Sequence, residues 1–413
     1  MKRRVVVTGI GTISPIGNNR KEIVEAMKTS KCGISEITLY DTADRLVKLA
    51  GEIKDYDPDA YFSKKELRHL DRVNQFGIIA AERALCDAGL DKDYLSKERV
   101  GVYCASGIGG IGTIESEHSR GLQRNFDRVS PYFIPMAIVN LTAGHIAMMI
   151  NAHGSCQGLV TACASATNAL GEAYRHIKDG YADMMFAGGS EAAITELSIG
   201  GFTSMKALTT VADPARASIP FDKERSGFVM GEGASILVLE ELEHALGRGA
   251  KIIAEIAGYG DTCDACHITA PCETGEYVAL AMEQSIEDAG ISPKDIDYIN
   301  AHGTSTPLND KVETVAIKRV FKEAYRDVLV SSSKSQIGHL LGASGSTEVA
   351  MSIFAMNEGF APPTINYAIP DEECDLNLVV NSPVKADIKY FLKNSIGFGG
   401  HNASIVVKRW ENK

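Results

Sequence analysis

The chain of 413 residues has no apolar stretch approaching the length of a membrane span. Its N-terminal valine run, Val5-Val6-Val7, stops at Thr8-Gly9 and is too short for the core of an export signal. A disulfide framework is missing too: nine cysteines, an odd number at irregular spacings, point to a reducing compartment. The expectation is a cytoplasmic protein, in which Asn140-Leu141-Thr142 and Asn402-Ala403-Ser404 mean nothing as glycosylation sites. Basic charge is scarce. A net charge of −11 argues against a nucleic-acid partner, because phosphate contacts need a basic surface. One local exception is KKELRHLDR, residues 64–72, where helical spacing puts Lys65, Arg68 and Arg72 on one face. A solvated helix face accounts for it, and so does a dock for an acidic partner.

Short-period repeats are absent, which excludes solenoids and propellers. Neither a phosphate loop nor a G-x-S-x-G hydrolase elbow occurs at AHGTSTPLND (301–310) or GGSEA (188–192). GIGGIG (107–112) matches a dinucleotide fingerprint. TIESEH follows it, however, and no second strand with a terminal acid comes about 20 residues later, so it reads as flexible backbone near a pocket. CDACH (263–267) matches c-type haem attachment, which needs export, and a zinc site there lacks a second Cys-x-x-Cys; coincidence explains it.

What is present is the composition of an ordinary globular protein, 45% apolar and 23% charged. A long-range repeat runs through it. AAERALCDAGL (80–90) and AMEQSIEDAGI (281–291) are helical patterns that each end in Asp-Ala-Gly, and each precedes a strand. VTACASATNALGEA (160–173) parallels VLVSSSKSQIGHLLGASG (328–345), and FVMGEGASILVLEEL (228–242) parallels HNASIVVKRW (401–410). The alternation predicts an α/β fold of two related halves, 1–250 and 251–413, the first with an insertion at about 108–150. Cys163, His302 and His339 then fall at strand ends, where open α/β folds place ligands.

Cys163 follows the strand GLVTA and opens a helix, whose dipole is expected to lower the thiol pKa and favour a nucleophilic thiolate. His302 and His339 each sit beside a glycine, and GFGGHN (397–402) can aim backbone N–H groups at an oxyanion. A buried structural cysteine and two satisfied histidines are the plain alternative for each residue alone.

TACAS, NAHGTSTPLND, KSQIGHLLGASG, GFGGHN and PFDKERSGFVMGEGA (220–234) together resemble the β-ketoacyl synthase family of the thiolase superfamily, and the likeness spans nearly the whole chain. The resemblance implies a thiolase-like fold, two halves in a five-layered α-β-α-β-α sandwich, usually a homodimer. It implies decarboxylative Claisen condensation: Cys163 carries the acyl chain, and malonyl-[acyl-carrier protein] loses CO2 to give a 3-oxoacyl product two carbons longer. His302 and His339 would hydrogen-bond the malonyl carbonyl, and the N–H groups of Cys163 and Phe398 would form the oxyanion hole.

The same likeness assigns further residues. Lys334 lies near the histidines, with an ion pair to Glu348 as its plain reading. Thr304 and Thr306 would hold the phosphopantetheine arm, Ile108 and Phe202 would line the acyl pocket, and Phe398 would gate it. Lys65, Arg68, Lys206, Arg124 and Arg128 would dock the acidic carrier protein. No organic cofactor is implied, and a structural monovalent cation is expected near Asn300, Glu348 and Asn394. Departures from the family pattern at Ala166, Ile396 and Ser155-Cys156 bear on substrate length. Fatty acid elongation is the first expectation; a type II polyketide or aryl-polyene ketosynthase, and a non-catalytic chain-length subunit, are the alternatives.

Overall fold

A computed structural model describes residues 3–91 and 99–411. Ten strands form the principal sheet: β1 (Val5–Ile13), β2 (Val100–Ala105), β3 (Cys156–Gln157), β4 (Met184–Glu191), β5 (Gly233–Glu241), β6 (Ala254–Cys263), β7 (Tyr298–Asn300), β8 (Leu329–Ser331), β9 (Tyr390–Gly397) and β10 (His401–Arg409). Their order is β8-β7-β9-β10-β6-β1-β5-β4-β2-β3. Read outward from the middle, the two sides have the same sequence of strands. β1 and β6 each pair antiparallel with β5 and β10, these pair antiparallel with β4 and β9, and two parallel strands complete each side. Among the described residues three residue pairs between strands, Val5–Val7 against Ala254–Ile256, join the sides.

Seven helices position the site: α1 (Arg72–Asp87), α2 (Ile111–Arg124), α3 (Leu141–Ile150), α4 (Ser165–Lys178), α5 (Glu276–Ala289), α6 (Pro307–Phe321) and α7 (Ser344–Asn357). α4 and α7 lie between the two sides of the sheet and touch strands of both, while α1 and α3 cover one outer face and α5 and α6 the other. This gives the five layers α-β-α-β-α. Strands covered on both faces must be apolar throughout, and β1, VVVTGIGTI, is buried at every residue. Gly11 is required there, because a Cβ would come 1.9 Å from the Ala80 carbonyl of α1.

The central helices are rich in small polar residues rather than leucines. Burial forces these hydroxyls to find partners, and they do so locally: Ser352 donates to the Glu348 carbonyl at 2.8 Å and Thr347 to the Ala343 carbonyl at 3.0 Å. Small side chains also allow close crossing. A Cβ at Gly345 of α7 would sit 2.1 Å from Thr167 Oγ1 of α4.

Two local expectations are corrected. Residues 64–72 do not form one helix: a single 3-10 turn, Glu66–Arg68, ends before Asp71, which caps α1 through the N–H of Val73 at 3.0 Å. Arg72 therefore leaves the basic face and pairs at 2.6 Å with the buried Glu232. In GIGGIG a helix does open, at Ile111, but the buried Glu191 carboxylate fills the loop, accepting from the N–H groups of Gly107 and Ile108 at 2.6 and 3.3 Å. A phosphate has no room there.

Candidate active site

Cys163 sits in a one-turn 3-10 segment, Ala162–Ala164, from which α4 continues. The turn is tight: Ala162 is held at φ 50° in the left-handed region. Ser165 stabilises it, accepting from the Thr161 N–H at 2.8 Å and donating to the Ala162 carbonyl at 2.6 Å. The end of β9 packs on this turn through Gly397, where a Cβ would lie 3.2 Å from the Cys163 nitrogen. The backbone N–H groups of Phe398 and of Cys163 itself both bear on the sulfur.

The two histidines approach from the other half. His302 follows β7, and its main chain is held by Glu313 of α6, which accepts the N–H groups of His302 and Gly303 at 2.7 and 2.8 Å. His339 is held by residues 229–231: its N–H donates to the Val229 carbonyl at 2.7 Å and its carbonyl accepts from Gly231 at 2.8 Å. The ligand atoms of Cys163, His302 and His339 lie within 4.8 Å of one another, and the two imidazole centroids are 5.3 Å apart.

The tautomer of His339 follows from its neighbours. The Leu341 N–H points at Nδ1 from 3.2 Å, and Ser344 Oγ is 2.8 Å from the same atom. Nδ1 is thus an acceptor, and the proton is on Nε2, which has no partner among the described residues and is available to a substrate oxygen. Burial, and after it the Lys334 ammonium, hold both imidazoles well below their ordinary pKa, so both are neutral at physiological pH.

For the thiol the sequence expectation fails. Burial pushes Cys163 up to about 11, outweighing Lys334 and the two backbone donors. Exclusion from water disfavours the thiolate more than the local field favours it. The resting nucleophile is a neutral thiol.

A cavity of about 310 Å³ brings Cys163 and both histidines together with Thr304, Thr306, Phe202 and Phe398. Lys206 and Ile396 line it as well. Ile108 does not reach this cavity; it packs behind Phe202 in an apolar cluster with Phe228 and Leu341. Ala166 is fully buried against β4, its Cβ 2.9 Å from where a Gly189 side chain would begin, so it does not narrow the cavity.

Behind His302 lies a buried charged cluster. Lys334 Nζ donates to the His302 carbonyl at 2.7 Å and to Glu348 Oε1 at 2.6 Å. Lys393, which the sequence reading did not single out, lies 2.8 Å from Glu348 Oε2 and has no exposure. Burial holds it down at about 8. These contacts decide whether Asn300, Glu348 and Asn394 suit a monovalent cation. Two ammonium groups take both oxygens of Glu348, and the Asn394 side chain is bonded to Ser404 at 2.8 Å and to Glu313 at 3.2 Å. Asn300 Oδ1 and Glu348 Oε2 are buried without a hydrogen-bond partner among the described residues, but the second already faces the Lys393 ammonium at 2.8 Å. The side-chain set does not fit the cation.

Sequence profiles agree with the geometry. Residues 2–245 match the β-ketoacyl synthase N-terminal domain and 253–368 the C-terminal domain. The chain belongs to the β-ketoacyl synthase family. A relative from Staphylococcus aureus named 3-oxoacyl-[acyl-carrier-protein] synthase 2 is 47% identical over 409 residues, covering 99% of each chain. Among solved structures, the ishigamide ketosynthase/chain length factor superposes with a TM-score of 0.93 at 33% identity, covering all of both chains. A type II polyketide ketosynthase, solved in complex with its acyl-carrier protein and bound to a hexaketide, gives 0.91 at 35%, covering 99% of this chain and all of that one.

The remaining expected family residues lie outside the cavity. Lys65, Arg68, Arg124 and Arg128 are exposed, and His69 stacks on Tyr132 at 3.8 Å, joining the 64–72 segment to the insertion that carries the arginines. In CDACH, Cys263 and Cys266 are exposed, and Asp264 is structural, accepting from Cys272 N–H and Asn402 Nδ2 at 2.9 and 2.7 Å. Glu191 and Lys393 were missed because their partners lie far along the chain, and Glu313, eleven and ten residues from His302 and Gly303, because no short motif contains it.

Proposed function

We propose that this chain performs the decarboxylative condensation of fatty acid elongation, and that Cys163, His302 and His339 carry it. The observation with most weight is the convergence, within 4.8 Å, of one thiol and two buried neutral imidazoles in a single cavity. An acyl thioester of the carrier protein enters past Thr304 and Thr306. Cys163 sulfur attacks its carbonyl, the C–S bond to the pantetheine breaks, and the thiol proton leaves with that sulfur. The N–H groups of Cys163 and Phe398 hold the tetrahedral oxyanion.

Malonyl-[acyl-carrier protein] then binds in the same place. Its carboxylate carbon bond breaks, CO2 leaves, and the electron pair moves to the thioester oxygen as an enolate. His339 Nε2–H and the His302 imidazole stabilise that charge. Neutral donors suit the step, because they stabilise the enolate without protonating it outright. The enolate carbon attacks the acyl-cysteine carbonyl, the cysteine sulfur departs as thiolate and takes up one proton from solvent, and a 3-oxoacyl chain two carbons longer is left on the carrier. Lys334 fixes the His302 loop rather than touching substrate, and no organic cofactor takes part.

Lys65, Arg68, Arg124, Arg128 and Lys206 form the docking face for the carrier protein in this reading; against a net charge of −11 such a cluster would attract an acidic partner. Exposed Leu122, Phe126, Ile134, Ile138 and Met148 on the insertion favour a second copy of the chain as their cover. Division near residue 250 into a nucleophile half and a histidine half belongs to the same reading. So does a cytoplasmic location; among the described residues no helix is long and apolar enough to cross a membrane. Identity of 47% to a 3-oxoacyl-[acyl-carrier-protein] synthase 2 against 35% to a type II polyketide ketosynthase favours fatty acid over polyketide chemistry.

The test is direct. Incubation with acyl- and malonyl-carrier protein, read by mass spectrometry, should yield CO2, a 3-oxoacyl product and an acyl adduct on Cys163, all but CO2 lost in Cys163→Ala. Equal behaviour of the two proteins would end this reading.

A further inference from the structure

We infer that Lys393 is a positioning residue for the malonyl half of the reaction, and that its ammonium supplies, from within the chain, the positive charge a monovalent cation would bring to Glu348. This rests on the condensation reading for the chemistry it serves, but its geometry stands alone. Lys393 is on β9, one residue from Asn394, and its side chain runs wholly inside the protein. Its head group has two partners, Glu348 Oε2 and the Asn394 carbonyl. Burying a lysine is costly unless its charge is matched, so a side chain kept here needs a reason.

The reason lies in the connected line from Lys393 to the imidazole. Lys393 faces one oxygen of Glu348 and Lys334 faces the other, at 2.8 and 2.6 Å. Lys334 in turn donates to the His302 carbonyl at 2.7 Å. Without Lys393, one carboxylate oxygen of a residue with no exposure would be left buried and unpaired. Glu348 would compete more strongly for Lys334 and draw it from the His302 carbonyl. The cluster's influence on Cys163 is the charge of Lys334, which favours the thiolate; the turn that carries the thiol is fixed separately by Ser165 and Gly397.

The same arrangement accounts for the poor fit of Asn300, Glu348 and Asn394 to a cation. An ion beside Glu348 would sit against two ammonium groups, and like charges at a few ångströms in a dry interior repel strongly. Shortening Lys393 to serine removes one ammonium and opens a space lined by Glu348, the Asn394 carbonyl and a hydroxyl, which ammonium or potassium ions can enter. Methionine removes the charge and fills the space.

The experiment compares wild type, Lys393→Ser and Lys393→Met in potassium, ammonium and choline chloride at matched ionic strength. Malonyl decarboxylation, Cys163 acylation and thermal melting are followed, with elemental analysis of the dialysed wild type. Wild type should be indifferent to the cation in rate and melting and should retain no stoichiometric potassium or sodium. In choline, Lys393→Ser should decarboxylate on the order of tenfold more slowly. Acylation should change by less than about threefold, within what an untouched turn allows. Ammonium or potassium should restore Lys393→Ser and not Lys393→Met.

A wild type that needs potassium or sodium, or holds one per chain, overturns the proposal. So does a Lys393→Ser enzyme that is unimpaired in choline, or one that loses acylation and decarboxylation equally with no rescue. If neither variant folds, the wild-type cation response and ion content still decide. Absence of CO2 release by wild type in every salt would overturn the condensation reading, and the melting and ion measurements would then judge Lys393 separately.

Discussion

The turn carrying Cys163 and the turn after His339 share a backbone and differ in occupant. Ala162 and Leu341 are both left-handed, at φ 50° and 45°. Each begins a single 3-10 turn, Ala162–Ala164 or Leu341–Ala343, and each turn leads into a 14-residue helix from Ser165 or Ser344. Where the first turn has Cys163, the second has Gly342. The Gly342 N–H donates at 2.9 Å to the buried Glu191 carboxyl, whose pKa burial raises against the pull of its hydrogen bonds, while the Cys163 N–H bears on the sulfur in the cavity. One geometry is thus used twice at helix N-termini that favour negative charge. In the histidine half a carboxyl group of the protein satisfies it; in the thiol half it is left for a charge that exists only during reaction.

The sharpest way to test this division is to disable one turn and ask whether the other continues. His339→Ala, or His302→Ala, should slow malonyl decarboxylation by about 10²–10³, the usual effect of removing one oxyanion donor. Cys163 acylation, followed by intact-mass spectrometry, should stay within about threefold, because the thiol turn is untouched. Loss of both half-reactions together would show that the turns are not separable.

Next in size is the attempt to make the turns alike. A Cβ at Gly342 would come 2.1 Å from the Gly107 nitrogen and 2.8 Å from Glu191 Oε2. Gly342→Ala should therefore destabilise the protein by about 1–3 kcal/mol, read from denaturant unfolding. An unchanged midpoint would mean that the second turn is looser than the geometry indicates.

The turns should also separate by pH. Burial has already displaced the proton from both imidazoles in the folded state, so decarboxylation should stay level as pH falls from about 8 through 6.5 and decline only below it. Alkylation of Cys163 should instead keep rising past pH 9 toward about 11, as the thiolate forms. A decarboxylation midpoint at 6.5, or an alkylation plateau by pH 9, would contradict the burial argument. The smallest effect is at the rim: Lys65→Ala with Arg68→Ala should raise KM for the carrier protein about threefold and flatten its salt dependence, with kcat retained.

The sequence was informative wherever the signal was local. Gly89 and Gly290, read as helix ends, are both left-handed, at φ 62° and 68°. Cys163, His302 and His339 stood out because each joins a strand end to a small-residue turn. The thiol pKa was misread for the opposite reason: the helix dipole is visible in a ten-residue window, but the burial that opposes it comes from β9 and the other half. Arg72 was misplaced although Asp71 and Asn74, a capping box, already marked a helix start. Glu191 and Gly342 are 151 positions apart, and no spacing rule connects them.

The crossing of α4 and α7 at Gly345 and Thr167 also sets a mechanical tolerance. Forming a carbon–carbon bond demands that two separately delivered carbons meet with reacting atoms about 3–3.5 Å apart. One carbon hangs from the start of α4 and the other is gripped by groups beside the start of α7. With no clearance where the two helices cross, the enzyme has in effect a fixed-gap jig, and a single added methyl there would be felt as a misalignment at the new bond.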